Sequence, residues 1–417
     1  MAGAARVPEG GEPAPEGLPP QGPSEAPRSS YPAGPNIFPA PWPVSLNPEV
    51  TVTQPNPLTS SQLESLCRGV ASRAAAADRE GRVPEADLEA LRGSGYLLLS
   101  LPSRLGGLGA DLSACTQAQL ELAAASTSTA LVAAMPLQLF GHAAEAGSWS
   151  ERSLEKLAAL AREGALINAA ASEPDLGSPS RGGLPDTYLE RTGSGFRLSG
   201  QKSWTTGGPR LTHLIVRARL EDQVVNALVP NHLPGITWDQ EWPGSLALRA
   251  SESRSVRFEA VELPRDALVE PGPGGGERNR WFPALIAATY LGTGLGAYRA
   301  ALDYARSRVP TALGRPIATL PAIQRQIGEM GIRLEAAKTL LGRAAAGSYP
   351  EVVAAKYLAT EAALGITELA LSAVGGAAVS PELPFERYFR DARGGRMHPP
   401  SGDAALELVG KEALGAV

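Results

Sequence analysis

Cysteine is nearly absent. Cys67 and Cys115 are the only two in 417 residues, and their spacing suits no metal site, disulfide framework or redox pair. Both are expected as buried free thiols, the state a cytoplasmic protein favours, and no metal is expected. Positive charge is not in excess: 38 Lys and Arg stand against 43 Asp and Glu, giving −5 overall. With no dense basic stripe, nucleic acid is an unsuitable partner. No run of 18 or more apolar residues occurs, so no membrane span is expected. The start of the chain lacks the charged end and apolar run of a secretory signal, and a cytoplasmic location is expected. Histidine numbers only four, and the carboxylates are too scattered to nominate an acid–base pair.

What is present is ordinary core-forming material, 43% hydrophobic, in a chain long enough for two or three domains. Residues 1–58 are rich in Pro and Gly with few large aliphatics. Such a stretch cannot bury enough apolar surface to offset its ordering entropy, and a disordered arm is expected, docking locally through Phe38, Trp42 and Val44. Thr59 or Ser60 then reads as a helix N-cap with Glu64 just inside. Residues 59–166 read as helical, broken at Gly81, at Gly93 and across Arg104–Asp111. Leu88 and Leu91 share one helical face; Leu120, Ala123 and Ala124 share another.

Across 167–270 the texture turns to short β-branched or alternating runs. They are Phe196–Trp204, Leu211–Ala218, Gln223–Pro230, Ile236–Gln240 and Ser253–Leu263, separated by turn signals such as Gly193-Ser194-Gly195 and Pro234-Gly235. After the loop Pro271–Glu277, residues 271–417 read as a helical bundle. Ile323, Ile327, Met330, Leu334, Ala337 and Leu341 form one apolar seam, and further helices are expected over Glu351–Val374 and Asp403–Leu414.

The informative stretch is Asn168–Gly208. It holds SEPDLGS (Ser172–Ser178) and GQKSWTTGG (Gly200–Gly208). Glycine lets backbone approach a ligand closely, Ser and Thr hydroxyls donate and accept, and Trp offers a flat face with one N–H. That kit suits a planar heterocycle with polar edges. Taken alone, SEPDLGS also suits a plain capped turn.

Together, in this order and spacing, the two motifs resemble the flavin-contacting strands of the acyl-CoA dehydrogenase superfamily. The similarity extends to the Gly-rich turn within YLLLSLPSRLGGLGAD, to RASESRSVRFEAVELP (Arg249–Pro264) and to GGAAVSPELPFERYFRDAR (Gly375–Arg393), and so spans the chain from about Thr59 onward. The resemblance implies an α+β fold with an N-terminal all-α domain, a central antiparallel β-barrel or sheet domain and a C-terminal four-helix bundle. It implies FAD, with FMN as the alternative, and assembly as a homodimer or homotetramer.

By the same resemblance the flavin contacts are Ala171, Ser172, Gly177, Ser178, Trp204, Thr205 and Thr206. Ser172 would bond the ring edge, Ser178 would face the substrate, Trp204 would pack on the flavin, and Thr206 would bond near N5 and O4. Arg308 would reach the pyrophosphate of a neighbouring subunit, although the residues after it read VPTALG, with Leu313 where the family carries Phe; a solvated surface arginine is the other reading. Gly375 and Gly376 match a turn serving the adenylate half, with Ser372 where Gln is usual. Gly292, Gly294 and Gly296 follow no strand and fail the dinucleotide fingerprint; helix packing is their expected role.

The family's carboxylate base is not visible. Aligned without gaps, Met397–Ser401 (MHPPS) puts His398 and Pro399 where many relatives carry Tyr and Glu. The alternative place for the base, early in the helix around Trp281–Gly292, also lacks a carboxylate, and the nearest arginine there is Arg280. Related flavin monooxygenases of sulfur heterocycles and phenols carry His in this loop, which makes His398 the candidate catalytic residue. A capping or surface role is its plain alternative. His142, His213 and His232 are expected to be structural, and Glu259 a strand-end residue.

Of three functions the first is the one expected, as the superfamily's commonest activity, and the other two are its alternatives. The first is α,β-desaturation of an acyl-CoA thioester in fatty acid metabolism, with hydride transfer to flavin N5 and an electron-transfer flavoprotein as partner. The second is a reduced-flavin, O2-dependent monooxygenase using His398 and a flavin reductase. The third is a catalytically degenerate flavin-binding protein.

Overall fold

The computed structural model describes residues 58–175, 183–239 and 244–415. The arm through residue 57, with Phe38, Trp42 and Val44, lies outside the described residues, as do Gly177 and Ser178.

Helices α1 (Ser60–Glu80), α2 (Glu85–Gly93), α3 (Leu112–Ala125), α4 (Thr127–Ala146) and α5 (Glu151–Arg162) come first. Thr59 caps α1 reciprocally: its hydroxyl accepts from Gln62 N at 3.3 Å while the Gln62 side chain accepts from Thr59 N at 3.0 Å. Gly81, with φ 66, ends α1 in the left-handed region. Leu88 and Leu91 of α2 are buried as their spacing implies.

The strands are β1 (Ile167–Ala170), β2 (Tyr188–Arg191), β3 (Gly195–Thr205), β4 (His213–Leu220), β5 (Gln223–Pro230), β6 (Ile236–Trp238) and β7 (Arg254–Pro264). They form one sheet in the order β1-β4-β2-β3-β7-β6, with β5 on the other side of β4. Pairing is antiparallel for β2·β3, β3·β7, β4·β5 and β6·β7. The sheet also has two short parallel pairings, β1 and β2 each lying along β4. Both strands are four residues long, too short for an alternation pattern to reveal them in sequence.

The second helical part comprises α6 (Trp281–Ser307), α7 (Pro321–Ala344), α8 (Tyr349–Val374), α9 (Phe385–Ala392) and α10 (Gly402–Ala413). Helix α6 is the axis of the molecule. Ala284, Leu285, Ile286, Ala287, Ala288, Tyr290 and Leu291 are all fully buried, because α3 and α4 cover one side of it and α8 the other. Its glycines permit that approach: a Cβ at Gly292 would lie 2.3 Å from Leu120 O, and one at Gly296 would lie 2.5 Å from Ala124 O. Helix packing is thus their role. In α7 the seam is inward at Met330, Leu334, Ala337 and Leu341, while Ile323 and Ile327 at its start are half-buried. Helix α8 is long and apolar enough to cross a membrane by length and composition. It packs between α6 and α7, where Val352, Val353, Ala355, Ala359, Ala363 and Ile366 are fully buried.

Candidate flavin site

Strand β3 loses register with β7 between Lys202 and Thr205, a bulge that displaces Ser203 and Trp204. Trp204 sits there at φ 56, a conformation costly for a bulky residue, and its side chain is 67% exposed. Ser203 N donates to Ser172 O at 2.9 Å, so the Ser172 turn and the bulge are joined. Behind them lies a buried ion pair that sequence reading did not single out. Lys202 Nζ donates to Glu173 Oε1 at 2.6 Å, and the same carboxylate accepts from Asp186 N at 2.8 Å and Thr187 N at 3.1 Å. Burial alone would raise the Glu173 carboxyl, but the bonds from Lys202, Thr187 and Asp186 outweigh it and hold it below the usual range. The Glu of SEP and the Lys of GQK therefore fasten the two motifs together.

Thr205 and Thr206 follow, both buried. Thr206 O accepts from Asn168 Nδ2 at 2.9 Å, its hydroxyl pairs with Ser253 Oγ at 3.0 Å, and Ser253 pairs with Ser251 at 2.8 Å. Among the described residues the buried Ser203 Oγ and Thr205 Oγ1 have no hydrogen-bond partner. Unpaired buried hydroxyls beside an exposed indole fit a ligand with polar edges and a flat face. A flavin ring meets that description.

The 248–253 segment links this cradle to the loop after α9. Leu248 and Glu252 have φ of 56 and 47, so among the described residues three of the five non-glycine positions with positive φ (Trp204, Leu248, Glu252) belong to this region. Such strain tends to collect at working sites. Leu248 N donates to Asp391 Oδ1 at 2.7 Å, and burial raises the Asp391 carboxyl to about 6. The Leu248 side chain closes on Gly394, where an added Cβ would lie 2.9 Å from its Cδ1.

Four residues on, His398 Nδ1 lies 2.7 Å from the Tyr290 hydroxyl of α6 and 3.2 Å from Gly394 O. Burial pushes the imidazole down to about 4, with Lys356 adding to that push and Gly394 O opposing it. His398 is therefore neutral at pH 7, and its Nε2 has no partner among the described residues. Burial likewise raises the Tyr290 hydroxyl well above 10.0, keeping it protonated.

Among the described residues, three carboxylates of these segments each have a partner. Asp391 is 3% exposed and serves Leu248 N; Glu252 is held by Arg254 at 3.1 Å and Arg210 at 3.4 Å; Glu173 is held by Lys202. Arg280 is also committed, donating to Glu145 at 3.0 Å and to the carbonyls of Ala345 and Gly347 at 2.9 Å.

Other expected contacts lie away from the cradle in sequence and on the surface. Arg308 ends α6, exposed and without an ion pair among the described residues. Gly375 and Gly376 follow α8, exposed, with no atom within 4 Å of an added Cβ. Ser372 accepts from Gln326 Nε2 at 2.8 Å. Ala171 is half-buried beside Ser172. His213 Nδ1 pairs with Thr212 Oγ1 at 3.0 Å at the start of β4; His142 lies in α4, where burial lowers its imidazole. Cys115 is buried as expected; Cys67 is half-buried, and burial pushes its thiol up to about 12.

Helical domain, sheet and helical bundle, with two strand-borne motifs meeting beside a strained tryptophan, define the architecture of a flavin-dependent oxidoreductase. Family models agree: the N-terminal, middle and C-terminal domains of acyl-CoA dehydrogenase match residues 62–159, 168–261 and 283–413. The chain is 33% identical over 354 residues to the putative acyl-CoA dehydrogenase YdbM of Bacillus subtilis, covering 82% of this chain and 92% of that protein. It is 31% identical over 377 residues to the mitochondrial short-chain specific acyl-CoA dehydrogenase of Bos taurus, covering 85% of this chain and 90% of that one. The chain belongs to the acyl-CoA dehydrogenase superfamily. Its fold also matches TdsC, the dibenzothiophene monooxygenase of Paenibacillus sp. A11-2 solved with FMN and indole, at TM-score 0.76, 24% identity, and coverage of 86% of this chain and 97% of that one.

Proposed function

We propose that this protein is a flavin-dependent monooxygenase, taking reduced flavin and O2 to a small organic substrate, with His398 and Tyr290 as its polar working pair. One observation carries the reading: the loop that holds the family's carboxylate base presents instead a neutral histidine bonded to a tyrosine, with the surrounding carboxylates engaged elsewhere. An imidazole held near a pKa of about 4 is a poor base for an α-proton but a good neutral hydrogen-bonding group. Flavin, when bound, supplies the electron exchange and the reaction with O2. Ser172, Trp204, Thr205 and Thr206 would hold its ring. The exposed Gly375–Gly376 turn supports FAD over FMN, and with Arg308 it supports a second copy completing the site. His398 would orient the substrate through a hydrogen bond at Nε2, and Tyr290 would fix which ring nitrogen carries hydrogen.

The second reading is acyl-CoA desaturation passing electrons to an electron-transfer flavoprotein. What favours it is kinship, since the relatives at 33% and 31% identity described above are named as acyl-CoA dehydrogenases, the first as a putative one. The two differ in one experiment. Flavin-loaded protein mixed anaerobically with acyl-CoAs of several lengths should keep its flavin absorbance under the first reading and lose it under the second. Flavin held at stoichiometric occupancy with neither bleaching nor O2-dependent product formation would leave a binding protein without turnover.

A further inference from the structure

A buried cation outside the flavin cradle grips the His398 loop. Lys356, in the first third of α8, is 2% exposed. Its ammonium donates to Gly395 O at 2.9 Å, His398 O at 2.8 Å and Pro400 O at 2.9 Å. An ammonium has three N–H groups, and each has one carbonyl here. The segment from Met397 to Pro400 belongs to no helix or strand, so its carbonyls have no regular ladder to join.

Among the described residues no carboxylate touches Lys356 Nζ. The closest acidic influence is Glu361 of the same helix, which is itself held by Arg396 at 2.8 and 2.6 Å. Keeping a cation buried without a counter-ion is costly, and only the carbonyls compensate it. Apolar packing of α8 needs no such group. What the ammonium does accomplish is to wrap six residues around one point. Gly394 and Gly395 let the wrapped loop lie against α6 and α8: an added Cβ would fall 2.7 Å from Tyr290 Oη at the first and 2.7 Å from Thr360 Cγ2 at the second.

We propose that Lys356 is a positioning residue for His398. Its ammonium fixes the main chain on both sides of the histidine, while the Tyr290 hydroxyl fixes the ring, so Nε2 is presented in a single orientation. The lysine touches neither substrate nor flavin and acts only through the loop. This inference rests on the reading that His398 works at the flavin, yet its physical content is measurable without turnover.

The test uses flavin-loaded full-length protein. Lys356→Met keeps the length of the side chain and removes all donors; Lys356→Gln keeps an amide able to donate to two carbonyls. Backbone hydrogen exchange at the amides of residues 394–398 should speed up by at least about tenfold in Lys356→Met and by less in Lys356→Gln, with β3 and β7 unchanged. Flavin affinity should stay within about twofold of the parent, while turnover falls at least about tenfold. Exchange at 394–398 within about twofold of the parent in a folded variant would overturn the proposal. So would parent protein whose 394–398 amides already exchange at coil rates, a measurement that stands even if Lys356→Met fails to fold. Loss of the oxygenase reading with the exchange effect intact would refute the function and leave the clamp.

Discussion

At the scale of single residues, His398 behaves unlike a surface histidine because two neighbours fix its Nδ1 side and burial strips its charge. That has a thermodynamic consequence with a definite sign. The unfolded imidazole takes up a proton near 6.5, the folded one only near 4, so between those values the unfolded state binds more protons. Stability contributed by neutral His398 is complete above 6.5 and drains away as pH falls toward 4, by up to about 3 kcal/mol. Urea unfolding of the parent and His398→Asn at pH 7 and pH 5 checks this: the parent should lose more stability on acidification than the variant. Of the pair, only His398 was legible in the sequence, through its place in a family loop. Tyr290 was not, because it lies 108 positions away and looks like another buried residue of an apolar helix. Glu173 and Lys202 stood inside the quoted motifs, but nothing in a one-dimensional spacing says that those two side chains meet.

At the scale of elements, β3 shows function and stability pulling apart. Its bulge forces Trp204 to φ 56 and leaves the indole largely outside. Trp204→Gly relieves that strain, so thermal stability of the flavin-free protein should be unchanged or rise by about 1 kcal/mol. Flavin affinity should nevertheless fall at least about tenfold, because the aromatic face is gone. Fluorescence titration with FAD alongside a melting curve measures both. Helix α6 makes the opposite case, since Gly292 exists for packing alone. Gly292→Val would drive its side chain into Leu120 O and Ala123 and should cost about 1–3 kcal/mol in urea unfolding. Elements with long periodic patterns, such as α7 and β5, were readable from sequence. Helix α9 and the four-residue strands β1 and β2 were not, since their stability comes from partners far along the chain.

At the scale of the whole molecule, three parts of different texture are linked by contacts that span more than a hundred residues. The cradle in the sheet connects through Ser253, Ser251 and Leu248 to Asp391, and from the same loop to α6 and α8. The order of helical, strand and helical parts was visible in composition, because a change of hydrophobic period survives without any knowledge of contacts. The linkage was not visible, since it depends on which side chains reach across domains. The proposed site draws on the loop, α6 and the strand bulge together.

The proposed function requires that a neutral histidine, rather than a carboxylate, faces the flavin chemistry. The measurement that decides it is an anaerobic spectral titration of flavin-loaded protein with a graded panel of acyl-CoA thioesters. An oxidised flavin band that persists through excess of every thioester is the result expected here. Stoichiometric bleaching by any one of them would show that a base is at work and contradict it.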